Sequence, residues 1–432
     1  MNFKLTMAFA LMTLQGFAVR TPEDAVSSAY DELWTRFVSP HGIVYDYRGE
    51  IPSPKDCEEG RPNAMGWFSP IENGPMFTGP FLRAMVRRAK RTGSATDVER
   101  CRKLVEGLLL CADVCGTPGM ICRGVGTDGK CHYPLGSCDQ TVPWFLGVGA
   151  YLSSGFGPES LRDRAKRTML RVAEALEKVE WRLPCDGRFS NEFRGCLMSD
   201  SLMFRGSVHG LFVLRILADV TGDGKWKRKY LAARDAKCPG GEGETRLEVC
   251  AYGYRFDLER AKRRFQMEPD QLWIYAGSTE SLEELAEREE DPNAARLYRQ
   301  GLANGARWAL PFIEGYRQWD NRAERPFGFA NWRKGYRWRE QKTQKDAAQV
   351  ADAAIWEVLG RRKSFERRYL TTPLAAAAIC AMGDGDRDAI RRAIASYDYA
   401  TPNISEFFYA VVAYESMKAR EMAHASRFSS PD

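Results

Sequence analysis

Helical periodicity runs through almost the whole chain, and it comes in two kinds that alternate. In residues 98–109 the apolar side chains Val98, Cys101, Leu104, Val105, Leu108 and Leu109 recur every three or four positions, with Glu99, Arg100, Arg102 and Lys103 between them. That spacing predicts a helix with one face in water, and Thr96 with Glu99 reads as a capping box at its start. Leu161, Ala165, Met169, Val172, Leu176 and Val179 repeat in the same way, and 225–236, 293–310 and 387–397 are similar. The second kind is apolar or small almost all round. Residues 142–152 and 211–220 are of this kind, and 77–86, 272–277 and 347–359 lean toward it. A helix without a polar face must be covered on several sides. Strand signals are confined to 43–47 and 121–125.

The two kinds pair along the chain: 71–91 with 96–114, 140–155 with 160–181, 201–221 with 225–237, 271–290 with 292–310, 346–361 with 371–382, and 386–398 with 403–420. Short turns such as Thr92-Gly93, Gly155-Phe156-Gly157 and Thr221-Gly222-Asp223-Gly224 make the members of a pair antiparallel neighbours. The connections between pairs are long, at 115–139, 182–200, 238–270 and 311–345, and long loops in a compact domain usually carry function. Six hairpins, each with a buried and an exposed member, predict an all-α fold of two concentric rings, an (α/α)6 toroid with its long loops at one mouth. A solenoid of helical repeats would have repeats of fixed length, which these unequal loops do not show.

This layout, together with the turn Thr221-Gly222-Asp223-Gly224-Lys225-Trp226, resembles the six-hairpin glycosidase superfamily and its polysaccharide-lyase relatives over roughly residues 25–420. The resemblance implies a carbohydrate-active enzyme. No site residue is carried over from it.

Composition is compatible with that expectation. A hydrophobic fraction of 44% and a charged fraction of 28% exclude a disordered chain, a fibre and a polytopic membrane protein. The excess of 63 Lys and Arg over 57 Asp and Glu does not mark a nucleic-acid binder. Residues 1–18 resemble a secretory signal, with Lys4 before an apolar run and small residues at Gly16 and Ala18; an apolar helix of the fold itself is the other reading. The expectation is a secreted or periplasmic protein with no membrane span, a signal peptide at 1–18 and one domain over 19–432. Twelve cysteines suit an oxidising compartment. Cys185 with Cys196, and Cys238 with Cys250, are the simplest local pairs. The absence of any CxxC doublet speaks against zinc, and neither metal nor cofactor is expected.

In a toroid the mouth lies over the starts of the inner helices, where free N–H groups favour anions. The candidate residues fall there. Glu72 and Asn73 open the first inner helix, as ligands or as caps. Arg123, His132, Tyr133, Asp139, Gln140 and Trp144 cluster before and in the second. Asp139 reads either as a site residue or as a plain N-cap, and His132 either as a site residue or as loop packing. Asp200 opens the third, and His209 follows on the same helix, where a core imidazole is the other reading. Trp319, Trp332 and Arg333 lie in the long 311–345 loop; Trp rings stack on sugars and Arg forks grip carboxylates, although a solvated basic loop has the same composition.

Glycoside hydrolysis uses two carboxyl groups. Asp139 is the favoured general acid, Asp200 its partner and His132 an auxiliary, on a uronic-acid-containing oligo- or polysaccharide. One alternative is a lyase that eliminates with His132 and Tyr133. The other is a carbohydrate-binding protein without catalysis.

Overall fold

Residues 21–198, 203–239, 241–260, 272–321, 332–334 and 338–428 are described by the computed structural model. Among them are sixteen α-helices: α1 (Pro22–Arg36), α2 (Pro54–Glu59), α3 (Gly74–Thr92), α4 (Ala95–Asp113), α5 (Cys138–Ser154), α6 (Glu159–Lys178), α7 (Met203–Thr221), α8 (Gly224–Asp235), α9 (Arg246–Tyr252), α10 (Arg255–Arg260), α11 (Leu272–Arg288), α12 (Pro292–Ile313), α13 (Gln344–Glu366), α14 (Thr372–Met382), α15 (Arg387–Ala395) and α16 (Phe408–Phe428). The fold is all-α. Strands β1 (Arg182–Pro184) and β2 (Phe193–Cys196) form an antiparallel pair, the sole sheet among the described residues. The segments 43–47 and 121–125, expected as strands, are not strands: Val44 and Tyr47 make isolated bridges to Val38 and Ile404. The predicted signal segment 1–18 lies outside the described residues.

The two helix types separate by burial, as their side chains require. Every residue of α14 is buried, whereas α6 buries Leu161, Ala165, Met169, Val172 and Leu176 on one face. Caps divide one helix from the next. Ser94 accepts from the Asp97 amide and starts α4, two residues before the capping box read from the sequence. Gly93 ends α3 at φ +68° and Gly155 ends α5 at φ +74°, left-handed positions at which a Cβ would be strained.

Helix α3 packs on α5, α5 on α7, α7 on α11, α11 on α14, α14 on α16, and α16 on α3. The more polar helices lie against these: α4 on α3, α6 on α5, α8 on α7, α12 on α11 and α14, α15 on α14, and α1 on α15 and α16. The approach of α3 to α5 is backbone to backbone. A Cβ on Gly79 would lie 2.0 Å from the Pro143 carbonyl oxygen, and one on Gly147 would lie 2.8 Å from the Gly79 Cα.

One expected hairpin is absent. Residues 346–361 and 371–382 do not fold back on each other; α13 continues through a π-helical turn, Arg367–Thr371, straight into α14. The outer partner of α14 is α15, and α1, which the periodicity analysis did not name, packs outside α16. Residues from the two ends of this region are laced together. Arg36 donates to the carbonyls of Tyr399 (3.1 Å) and Ala400 (2.8 Å), and the Ser405 amide donates to Asp46 O (3.1 Å).

A buried ionic cluster ties α3 to α11. Arg83 donates to Glu284 at 2.6 Å and to Glu283 at 2.7 Å, and Arg87 reaches Glu283 at 3.0 Å. Glu280, one turn earlier on α11, is wholly buried and neither of its carboxylate oxygens has a hydrogen-bond partner among the described residues. Burial pushes its pKa up to about 8, against the pull of Arg83. No helix among the described residues is long and apolar enough to cross a membrane.

Candidate active site

Helix α5 starts at Cys138 with Ser137 as its N-cap, so Asp139 is a first-turn residue and not the N-cap that was one of its two readings. Its carboxylate forms an ion pair with Arg205, in the first turn of α7. Burial alone would raise the Asp139 pKa, but the charges of Arg205 and then Arg123 outweigh it and hold the group below the usual carboxylate range. Asp139 is therefore an ionised acceptor at neutral pH, a state suited to a base or nucleophile and unsuited to the acid role favoured from the sequence. One turn along α7, His209 is buried and its Nε2 lies 3.1 Å from the Ser278 hydroxyl of α11. Burial, then the Arg205 charge, push this imidazole down to about 3, so it is neutral at pH 7.

Two further guanidiniums act on the same carboxylate. Arg123 is buried and spends its donors on Leu135 O, Glu72 O and Ser137 Oγ, each at 3.1 Å. Burial, reinforced by the charge of Arg194, lowers it to about 10, and it stays cationic. Arg194, on β2, lies 5.1 Å from the Trp67 ring centre; burial lowers it too, with Asp139 acting in opposition.

Asp257 of α10 was not found from the sequence. Its Oδ1 accepts from the Phe204 amide at 2.9 Å at the start of α7, and its buried Oδ2 has no hydrogen-bond partner among the described residues. Burial raises this acid to about 6 despite the backbone amides of α7 and the Arg205 charge. Arg205 thus interacts with two aspartates whose pKa values are pushed in opposite directions, a pattern common at catalytic sites. The one sequence signal was an acid set between Phe256 and Leu258 in a short helical pattern.

Of the remaining candidates, Glu72, Asn73 and Gln140 gather with Arg123 at the starts of α3 and α5, and the others are dispersed. Asn73 stands at the N-cap of α3 but donates to Asp46 Oδ1 (2.6 Å) and accepts from Gln140 Nε2 (3.3 Å). Glu72 Oε2 accepts from the Phe68 amide at 2.8 Å. Gln140, Tyr133 and Trp144 are fully buried and offer no face to a ligand, contrary to the sequence reading. The Tyr133 hydroxyl donates to Arg61 O, and the Trp144 indole donates to Leu108 O at 2.6 Å. Trp319 is buried edge-on against Phe365. Trp332 is also buried and donates to Glu50 O at 2.6 Å, with Arg333 over its ring and bonded to Glu50 and Asp56. These two residues line a cavity of about 250 Å³ with Lys55, Asp56, Glu59, Arg61, Pro62 and Trp338. Asp200 lies outside the described residues.

His132 is held by Asp186. Its Nε2 lies 2.8 Å from Asp186 Oδ2, and its Nδ1 lies 3.2 Å from Lys130 O. Burial works against the imidazolium, but Asp186 outweighs it and raises the pKa. The same imidazole belongs to the single group of three metal-ligating side chains among the described residues: Cys115, His132 and Asp186, whose donor atoms all lie within 4.8 Å of one another. None of the twelve cysteines is joined in a disulfide, so the expected local pairs Cys185–Cys196 and Cys238–Cys250 are not formed. Cys57 contacts Cys131, and Cys122 contacts both Cys111 and Cys115, groupings that chain separation did not suggest.

No protein-family model, no curated protein and no solved structure matches this chain.

Proposed function

We propose that the chain is an exported carbohydrate-active enzyme, a glycoside hydrolase acting on uronic-acid-containing oligo- or polysaccharide, built as an (α/α)6 toroid. Taken in order, the packings of α3, α5, α7, α11, α14 and α16 support an inner ring, with α4, α6, α8, α12, α15 and α1 outside it. The observation that carries the substrate class is the clustering of Arg123, Arg194 and Arg205 around the Asp139 carboxylate at the starts of α5 and α7. Three guanidiniums in a partly buried site favour an anionic sugar, and the Trp67 ring beside Arg194 suits a pyranose face.

In this reading Asp139 is the ionised partner that takes a proton from the attacking water. A second carboxyl protonates the departing glycosidic oxygen as the C–O bond breaks and the water oxygen bonds to the anomeric carbon. Asp200 is that acid, so the two roles are the reverse of those read from the sequence. Asp257 is a positioning residue that caps α7 and sets Arg205. Elimination by His132 and Tyr133 has less support, because both ring nitrogens of His132 face acceptors and the Tyr133 hydroxyl is committed to Arg61 O.

The test is digestion of a panel of acidic polysaccharides and their unsaturated oligosaccharides, followed by ultraviolet absorbance and reducing ends. A hydrolase releases reducing ends at constant absorbance, or lowers the absorbance when it consumes an unsaturated uronide. Rising absorbance identifies a lyase, and affinity without product identifies a binding protein. Full activity of Asp139→Asn removes Asp139 from the reaction.

A further inference from the structure

We propose that Cys115, His132 and Asp186 form a binding site for a divalent transition metal of the zinc class. The three side chains come from separate segments: Cys115 just after α4, His132 from the loop before α5, and Asp186 from the turn after β1. Their donor atoms nonetheless fall within 4.8 Å of one another, so small side-chain shifts bring them to the roughly 3.3–3.8 Å separations that tetrahedral bonds of roughly 2.0–2.3 Å require.

The surroundings are those of a ligand set. A metal-bound histidine usually donates its other ring N–H to a carbonyl or carboxylate, which fixes the tautomer. His132 Nδ1 has that partner in Lys130 O at 3.2 Å, leaving Nε2 turned toward Asp186 Oδ2 at 2.8 Å. Asp186 is itself oriented, its Oδ1 by the Thr117 hydroxyl at 2.8 Å and its Oδ2 by the Gly116 amide at 2.9 Å. A thiolate, an imidazole and a carboxylate suit zinc or cobalt and disfavour magnesium and calcium, which take oxygen ligands. The fourth position falls to water.

Binding exchanges protons and moves no electrons. The cation replaces the thiol proton of Cys115 and whatever proton His132 Nε2 carries, so at least one proton leaves for each M²⁺ bound. The bound metal would join the end of α4 to the β1–β2 hairpin that carries Arg194. The set forms no short motif, because its members are far apart in the chain.

The test uses the full chain, reduced, stripped with a chelator and dialysed against Zn²⁺ or Co²⁺. One equivalent is expected, with a thiolate-to-cobalt absorption band that Cys115→Ser abolishes. His132→Gln and Asp186→Asn should each weaken binding by about 10-fold or more, a loss that outer-shell changes alone can cause. Cys57→Ser should leave it unchanged. Zn²⁺ should raise the melting temperature of the parent protein and not that of Cys115→Ser. The proposal is overturned if the reduced parent protein takes up no stoichiometric metal, or if the cobalt band persists in Cys115→Ser. It is equally overturned if Cys115 is isolated in a disulfide with Cys122 and the protein stays metal-free after reduction.

Discussion

Asp139 and Arg205 are ion-paired across the first turns of α5 and α7, so one contact both joins two neighbouring helices and fixes the charge state of the proposed reacting carboxylate. Arg205 and Arg123 keep the folded pKa of Asp139 below its unfolded value of about 3.9. The stabilisation this represents is fully present above about pH 4 and is lost as the pH falls through the lower folded value. The melting temperature should therefore drop more steeply in acid for the parent protein than for Asp139→Asn. Parallel curves would mean that the ion pair contributes nothing.

Glu280 has the opposite sign. Its pKa is raised to about 8 by burial, so the folded protein keeps a proton that the unfolded chain loses near pH 4, and stability falls as the pH rises between those values. Glu280→Gln should melt higher than the parent at pH 8, by on the order of a few kcal/mol, and show no advantage at pH 4. Thermal melts at the two pH values decide it.

Arg83 is 3% exposed and pairs with Glu283 and Glu284. Replacing it with Ala removes one partner from each carboxylate, leaving Glu283 to Arg87 and Glu284 to Arg288, at a cost of up to about 3–5 kcal/mol. Urea denaturation should show a lower midpoint with an unchanged slope.

Trp144→Phe separates a core role from a ligand role. The change removes the indole donor to Leu108 O and should lower stability by about 1–3 kcal/mol. The kcat and KM on any substrate that is found should stay as they were; a large rise in KM would return Trp144 to the binding site.

Gly79→Ala forces a methyl group against the Pro143 carbonyl. Calorimetry should show destabilisation of at least about 1–3 kcal/mol, with soluble protein recovered at low temperature.

The helices were legible because their period and their polarity arise locally. The all-apolar stretch at 142–152 could only be interior, and it lies within α5. The 346–382 region misled because length and composition show where helix is favoured, not whether the chain reverses; no glycine turn separates α13 from α14, and the helix continues through a π-turn. Asp139 was singled out because it stands beside a helix start. Asp257, Arg205 and Arg194 were not given their place beside it, since their importance lies in burial and shared charge, which depend on how distant segments pack. Tyr133 and Trp144 were overvalued for a related reason: aromatics fill cores as readily as they line sugar sites, and their polar tips turned out to be bonded to backbone.

The packing of α1 on α15 and α16, together with the grip of Arg36 on the carbonyls of residues 399 and 400, bears on how the chain is made. During synthesis the segment 22–36 emerges from the ribosome before the surfaces that will cover it exist. Tyr30 meets Phe81 and Asp97 of α3 and α4 early, but the part of α1 that α15 and α16 cover stays open until those helices are made. The burial of α1 is thus completed by contacts between segments far apart in the chain, the kind that form slowly.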